Sequence, residues 1–234
     1  QDRVEFPIDT FAVRPTDGSG RVSVIVTAFS DKGIRSGTLF VLPVGLSGFE
    51  INPGAVAGGN MVEGTITLAT PAPSSGAAVR ITSDRPSLAR PERNWITIPA
   101  GQRTAKVRVR TFATASPEIA VLTADRLGNT IDVDLAVNNV SLASIAATPA
   151  NAFTGQQVRF TVSLDGPATR NGATVQLSSS NTSALTVPAT VTIPAGRRSA
   201  VVLATANRVS DATQVTVTAS RLNIDRTVNI TVRP

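Results

Sequence analysis

Ile98-Pro99-Ala100-Gly101 returns as Ile193-Pro194-Ala195-Gly196, 95 residues later, and the recurrence runs well beyond that tetrapeptide. Pro53, Val62, Ile66, Leu68, Pro71, Ala72, Gly76 and Val79 are matched by Pro149, Val158, Val162, Leu164, Pro167, Ala168, Gly172 and Val175, each 96 positions on. A fixed period sets the folding unit before any finer reading. A unit of this length is too long for a solenoid repeat and suits one β-sandwich. The opening of the chain carries part of the same unit. Thr27-Ala28 aligns with Thr218-Ala219, and Val41 and Pro43 with Val232 and Pro234, all at an offset of 191. Thr10-Phe11-Ala12 likewise repeats as Thr111-Phe112-Ala113. The expected division is therefore residues 1–43 as the last three strands of a unit, followed by two complete units at 44–138 and 139–234.

Local patterning agrees on strands. Gln157 to Leu164 alternates strictly, with Val158, Phe160, Val162 and Leu164 on one face, and Val62, Gly64, Ile66 and Leu68 are their counterparts. Gly64 opposite Phe160 is the one conspicuous mismatch, and it implies a different core partner. Lys106-Val107-Arg108-Val109-Arg110 alternates with charge outward, and Val228 to Val232 alternates with Asn and Thr outward. This is the pattern of antiparallel sheets with one dry and one wet face. Turn residues separate the runs, and Gly101 and Gly196 are placed to supply positive φ. Seven strands are predicted per unit, in the second near 46–53, 60–69, 77–83, 94–98, 104–112, 118–125 and 130–138. With only 4% aromatic residues, the cores have to be built from Val, Ile, Leu and Ala.

A Pro near the first strand and a Gly-Gly or Thr-Gly precede the pattern V-x-x-T-(I/V)-(T/S)-L. There follow P-A, G-A-x-V, I-P-A-G and T-A-(D/S)-R-L. Together they resemble tandem bacterial immunoglobulin-like (Ig-like) domains of secreted and envelope proteins. The resemblance covers nearly the whole chain. It implies an all-β fold of tandem Ig-like antiparallel β-sandwiches with an N-terminal three-stranded partial unit, in an extracytoplasmic setting: periplasm, cell surface or secreted. Its motifs are framework turns and core positions, so it carries over no catalytic or binding residue.

What the composition lacks narrows the chemistry. The chain has no His, which removes Ser-His-Asp triads and imidazole metal ligands, and no Cys, which removes thiol nucleophiles and thiolate sites. The acids Asp84, Glu92, Glu118, Asp125, Asp132 and Asp134 are scattered. Asp132 and Asp134 share a strand face and offer two oxygen ligands to Ca²⁺, but a solvated face is the reading taken. No enzyme activity and no cofactor are expected. No apolar run is long enough for a transmembrane helix, and no signal peptide is present; Gln1 is compatible with a mature terminus or with a cut boundary. The net charge of +6 is almost all Arg, Lys32 and Lys106 being the only lysines. That excess reflects either genome composition or an acidic partner. With no Tyr and one isolated Trp, nucleic acid is not the expected partner.

Two sets of candidate residues follow. Lys106, Arg108 and Arg110 form a one-sided basic stripe, joined by Arg80, as a candidate surface for anionic polysaccharide or lipid headgroups. The third unit has Val201, Leu203 and Thr205 on that strand, so the two complete units face different neighbours. Val4, Phe6, Ile8, Phe11, Phe40 and Trp95 are candidates for docking a protein partner or a second copy; Trp95 is read first as a core plug beneath a turn and second as an exposed anchor. In residues 1–43, Val4, Phe6 and Ile8, Val22, Val24 and Val26, and Thr38, Phe40 and Leu42 alternate as three strands with one apolar face needing cover. The leading expectation is a structural or interaction module of the bacterial envelope, an extrinsic subunit or spacer. The alternatives are a binding module for anionic glycan or lipid and an accessory region of a larger secreted enzyme or adhesin.

Overall fold

The computed structural model describes residues 22–30, 33–41 and 43–234, which form strands joined by turns and loops. Val4, Phe6, Ile8 and Phe11, with the first of the three N-terminal strands, lie outside the described residues. Strands β1 (Val22–Ser30) and β2 (Gly33–Val41) pair as an antiparallel hairpin. The middle block supplies β3 (Leu46–Asn52), β4 (Ala55–Ala57), β5 (Met61–Leu68), β6 (Ala77–Ser83), β7 (Ala89–Pro91), β8 (Trp95–Ile98), β9 (Thr104–Thr111), β10 (Glu118–Arg126) and β11 (Asn129–Asn138). The last block supplies β12 (Leu142–Thr148), β13 (Asn151–Phe153), β14 (Gln157–Leu164), β15 (Ala173–Ser179), β16 (Thr190–Ile193), β17 (Ser199–Thr205), β18 (Thr213–Arg221) and β19 (Ile224–Arg233).

In the middle block the sheets run β3-β5-β9-β7 and β4-β11-β10-β6-β8; in the last they run β12-β14-β17 and β13-β19-β18-β15-β16. In each block the first strand pairs in one sheet, and the short strand after it joins the other, parallel to the last strand. All other pairings are antiparallel. Two facing sheets with this sheet-switching first strand are the Ig-like sandwich. The fold is all-β, and it is tandem.

The expected seven strands are present in both blocks. The additional ones, β4, β7 and β13, have three residues each, too few for alternation to register, and in the last block a single bridge between Leu185 and Ala206 stands near the place of β7. Gly101 and Gly196 have φ of 73° and 72°, as their turns require. The closing hairpins of the two blocks use two-residue loops. Leu127 and Gly128 in one, and Leu222 and Asn223 in the other, all have positive φ, the twist that keeps flanking strands aligned.

Each block has its own core. Phe49, Ile66, Val79, Ile98, Val109, Leu122 and Leu135 are buried in the middle one, and Phe160, Val175, Leu185, Ile193, Val217 and Ile230 in the last. The Gly64–Phe160 mismatch is a compensated exchange. Phe160 pairs across the sheet with Ala147, while Gly64 pairs with Ile51. A Cβ on Gly64 would lie 2.6 Å from Ile51 Cδ1 and 3.3 Å from Phe49 Cε2. One aromatic ring fills each core from neighbouring strands, β3 in the first case and β14 in the second.

A tight joint connects the blocks. The β4–β5 loop is held from inside its own block: the buried Thr111 hydroxyl donates to Asn60 O (2.7 Å) and accepts from Gly59 N (3.0 Å). The loop then meets the turn after β14. Asn60 donates to Asp165 O (3.0 Å), and Arg198 donates both to Asp165 O (3.2 Å) and to Asn60 Oδ1. Asp165 in turn clamps the connecting segment, accepting from Ser141 N and Ser141 Oγ at 2.7 Å each. A further internal tie repeats in both blocks: Arg126 donates to Val44 O and Arg221 to Val140 O, anchoring the segment that leads into each sandwich to its own closing hairpin.

Candidate functional site

The basic stripe is where alternation puts it, on the outer face of the β3-β5-β9-β7 sheet. Val107 and Val109 are buried beneath, and Lys106, Arg108 and Arg110 are exposed. Cross-strand neighbours temper two of these charges. Lys106 Nζ donates to Thr65 Oγ1 (3.1 Å), and Arg108 Nε lies 3.7 Å from Glu63 Oε1, an exposed pair worth at most about 1 kcal/mol. Arg110 sits directly across from Arg90 of β7, whose guanidinium lies 5.6 Å from the Phe112 ring centroid. Arg80 is not part of the stripe. It belongs to β6 on the other sheet, where it pairs across with Trp95.

Trp95 corrects the core reading. It is 62% exposed, on β8, at the edge of its sheet. An edge strand has one buried alternate set, here Ile98 with Ile96 partly covered, and Trp95 falls on the other side. Its neighbourhood is a groove of ≈ 680 Å³ along the seam between the two sheets. Trp95, Ile96, Thr97, Ala105, Lys106 and Arg108 line it, together with Glu92 and Arg93. Glu92, Arg93, Arg90 and Arg110 also line an adjoining depression of ≈ 620 Å³. Arg90 and Arg93 were legible only as nearby charges, since their convergence on β9 depends on the three-residue β7.

A second surface lies on the N-terminal hairpin. The register sets Val24 opposite Leu39 and Val26 opposite Gly37 on one face. The equivalents of Val24, Val26, Ala28 and Leu39 in the middle block, 96 positions on, are Ala120, Leu122, Ala124 and Leu135, all fully buried. By that correspondence it is the face that the middle block turns inward. Phe40, expected on the same apolar face as Val24, is on the opposite one, because a direct pairing of Val24 with Leu39 places Phe40 opposite Ser23. The outer face also carries Ile25 and the cross-strand pair Phe29–Ile34, which sequence reading missed. Ile25, Phe29, Ile34 and Phe40 are 70%, 75%, 63% and 54% exposed. Their counterparts are Val121, Asp125, Thr130 and Ala136 in the middle block and Thr216, Ser220, Asp225 and Thr231 in the last. Aligning the outer positions at offsets of 96 and 191 exposes the contrast; alternation alone cannot, because both faces of this hairpin are apolar.

The acids do not converge. Asp132 and Asp134 share the exposed face of β11, and among the described residues no three groups of metal-ligating type come together. Glu118 is held by two neighbouring side chains. The Thr114 hydroxyl lies 2.8 Å from its Oε1 and Arg85 pairs with its Oε2, and these bonds hold the carboxyl below the usual glutamate range. The folded pKa is depressed, so this local stabilisation is fully present above the ordinary glutamate range and is lost as pH falls through the depressed value. Thr114→Val or Arg85→Ala is expected to move the Glu118 titration upward. A pH series of side-chain carboxyl NMR shifts measures it, and an unchanged midpoint in both variants contradicts the assignment.

No known protein-family pattern matches the chain, and no curated protein sequence does. Solved structures resemble it at low identity. An Escherichia coli adhesin, FdeC, is 12% identical with a TM-score of 0.38, over 92% of this chain and 74% of that one. Titin domains I67–I69, in an E-to-A variant, are 11% identical with a TM-score of 0.34, over 94% and 83%. A Salmonella alpha-2-macroglobulin reacted with methylamine is 14% identical with a TM-score of 0.31, and the chain spans only 18% of its length. At these values the likenesses transfer neither family nor function. The Ig-like assignment stands on strand order and pairing.

Proposed function

We propose that this chain is a non-catalytic interaction and spacing module of the bacterial envelope, with residues 1–43 as a partial Ig-like unit and 44–138 and 139–234 as complete ones, and that it docks to a larger assembly through the outer face of its N-terminal hairpin. The single observation that carries this reading is the apolar outer set Ile25, Phe29, Ile34 and Phe40, set against counterparts that, apart from Val121, are polar or small in the other two hairpins. Completing the hairpin's own sandwich would cover Val24, Val26 and Leu39, but would leave the outer set in water. Burying each of the four side chains is worth about 1.5–3 kcal/mol, and an exposed apolar cluster framed by polar residues is how a protein contact surface reads. The Thr27–Ser36 hydroxyl contact at 3.1 Å sits between the two apolar ends of this face and keeps the ribbon's register.

Spacing is supported by the joint between the middle and last blocks, where side chains of both blocks and the connecting segment bond to one another. The extracytoplasmic setting is part of the same proposal and is supported by the framework motifs. Among the described residues no helix is long and apolar enough to cross a membrane. The test gives the outer face the residues of the last block, as I25T/F29S/I34D/F40T. Tagged full-length chain, isolated from the cells that make it, is expected to retain a stoichiometric protein that the variant loses, while both melt alike. Equal retention by both chains overturns the docking role.

A further inference from the structure

We propose that the seam groove of the middle block binds an anionic polysaccharide, with sugar faces stacked on Trp95 and carboxylate or sulfate groups paired with Arg93, Lys106 and Arg108. This goes beyond the docking role and does not depend on it.

Three features of the groove converge on that ligand. The first is an exposed aromatic ring in the lining: Trp95 is 62% exposed and offers the apolar, polarisable face that sugar C–H groups stack against. The second is the charge that lines the same groove. Arg93 makes no hydrogen bond or ion pair among the described residues, Arg108 has only a long contact to an exposed Glu63, and Lys106 has only a neutral hydroxyl. A groove with this excess of positive charge, held against low-dielectric walls, concentrates anions. The third is shape. From Thr104 to Arg108 the groove follows β9 for about 14 Å at ~3.4 Å per residue, which suits a linear chain of a few sugar units better than a single small anion. Its continuation past Arg93 into the Arg90–Arg110 depression lengthens the same cationic track.

The ligand class follows from the combination. A lipid surface needs charges spread over a face that can lie flat against it, whereas here the cations and the aromatic line one groove along the seam between two sheets. The last block is an internal control. It has eight arginines against three acids, a larger positive excess than the middle block, yet Thr190, Val201 and Leu203 stand at the positions of Trp95, Lys106 and Arg108. If charge alone governed binding, the last block would bind better.

Isothermal titration calorimetry of the full chain tests the proposal, using a uronic-acid hexasaccharide, a neutral glucan hexasaccharide, poly-glutamate and anionic phospholipid vesicles. The uronate oligomer is expected to bind, weakening steeply with salt, and the neutral glucan is not. K106A/R108A is expected to lose about tenfold or more in affinity, which is ~1.4 kcal/mol. R170A/R233A, which removes the same charge from exposed positions of the last block, should change it by less than about twofold. W95A should lose roughly five- to tenfold with net charge unchanged, and since Trp95 is an exposed edge residue its melting temperature should hold. The proposal is overturned if W95A binds like the parent, if the two double variants lose equally, or if poly-glutamate or the vesicles bind as tightly and with the same dependence on Trp95.

Discussion

Phe160→Ala is expected to destabilise the last sandwich by about 3–5 kcal/mol, the largest effect of any single core truncation in the chain. Phe160 is fully buried and is the bulkiest side chain in either core to be so. Its cross-strand neighbours are Ala147 on one side and Val202 on the other, and neither has the volume to fill the space of a phenyl ring. The middle block should be destabilised by the opposite kind of change, an enlargement, at the equivalent position. There the aromatic is Phe49, and Gly64→Ala is an overpacking change: the added Cβ falls 2.8 Å from Glu50 O and 2.6 Å from Ile51 Cδ1. Backbone cannot move aside cheaply, and about 1–3 kcal/mol is expected. Urea unfolding monitored by NMR, with resolved signals from each block, reads both. A loss below about 1 kcal/mol for Phe160→Ala, or a stabilising Gly64→Ala, contradicts the exchange of aromatics between strands.

The second large effect is geometric rather than thermodynamic. Gly59 has φ of 88°, and a Cβ there would lie 2.2 Å from Pro167 Cγ of the next block. Gly59→Val asks a β-branched residue to adopt a conformation it rarely accepts and drives it into the opposing proline. Each sandwich keeps its own core, so the blocks are expected to stay folded while the joint opens. Residual dipolar couplings then report two different alignment tensors where the parent chain gives one. A single common tensor in the variant would mean that the Asn60–Arg198–Asp165 bonds hold the blocks without the close approach at Gly59.

Much of this architecture was legible because the sequence says it twice. Strands β5, β6, β9, β10 and β11 lie within two residues of where alternation and turn spacing put them, and the burial of Val158, Phe160, Val162 and Leu164 follows from period-two patterning on a sheet with one wet face. What stayed hidden needed information that a single strand does not carry. Trp95 looked like core because its type favours burial; it lies outside because β8 turns Ile96 and Ile98 inward rather than Trp95 and Thr97. Phe40 was assigned to the wrong face because the pairing of β1 with β2 sets the relation between strands, whereas alternation fixes faces within one strand only. The Arg90 and Arg93 side of the groove rests on a strand of three residues. Arg198 and Asn60 are 138 positions apart and meet only because a connecting segment clamped by Asp165 turns one sandwich onto the other.

Site-specific photo-cross-linking tests the docking face most directly. A photoreactive phenylalanine analogue is placed at Ile34, at its counterpart Thr130 and at its counterpart Asp225, and the full chain is irradiated in the cells that produce it. The account predicts one defined protein adduct from position 34 and none from positions 130 and 225, with the adduct abolished by Phe29→Ser on the opposing strand. Adducts of equal yield from all three positions, or none from position 34, would contradict it.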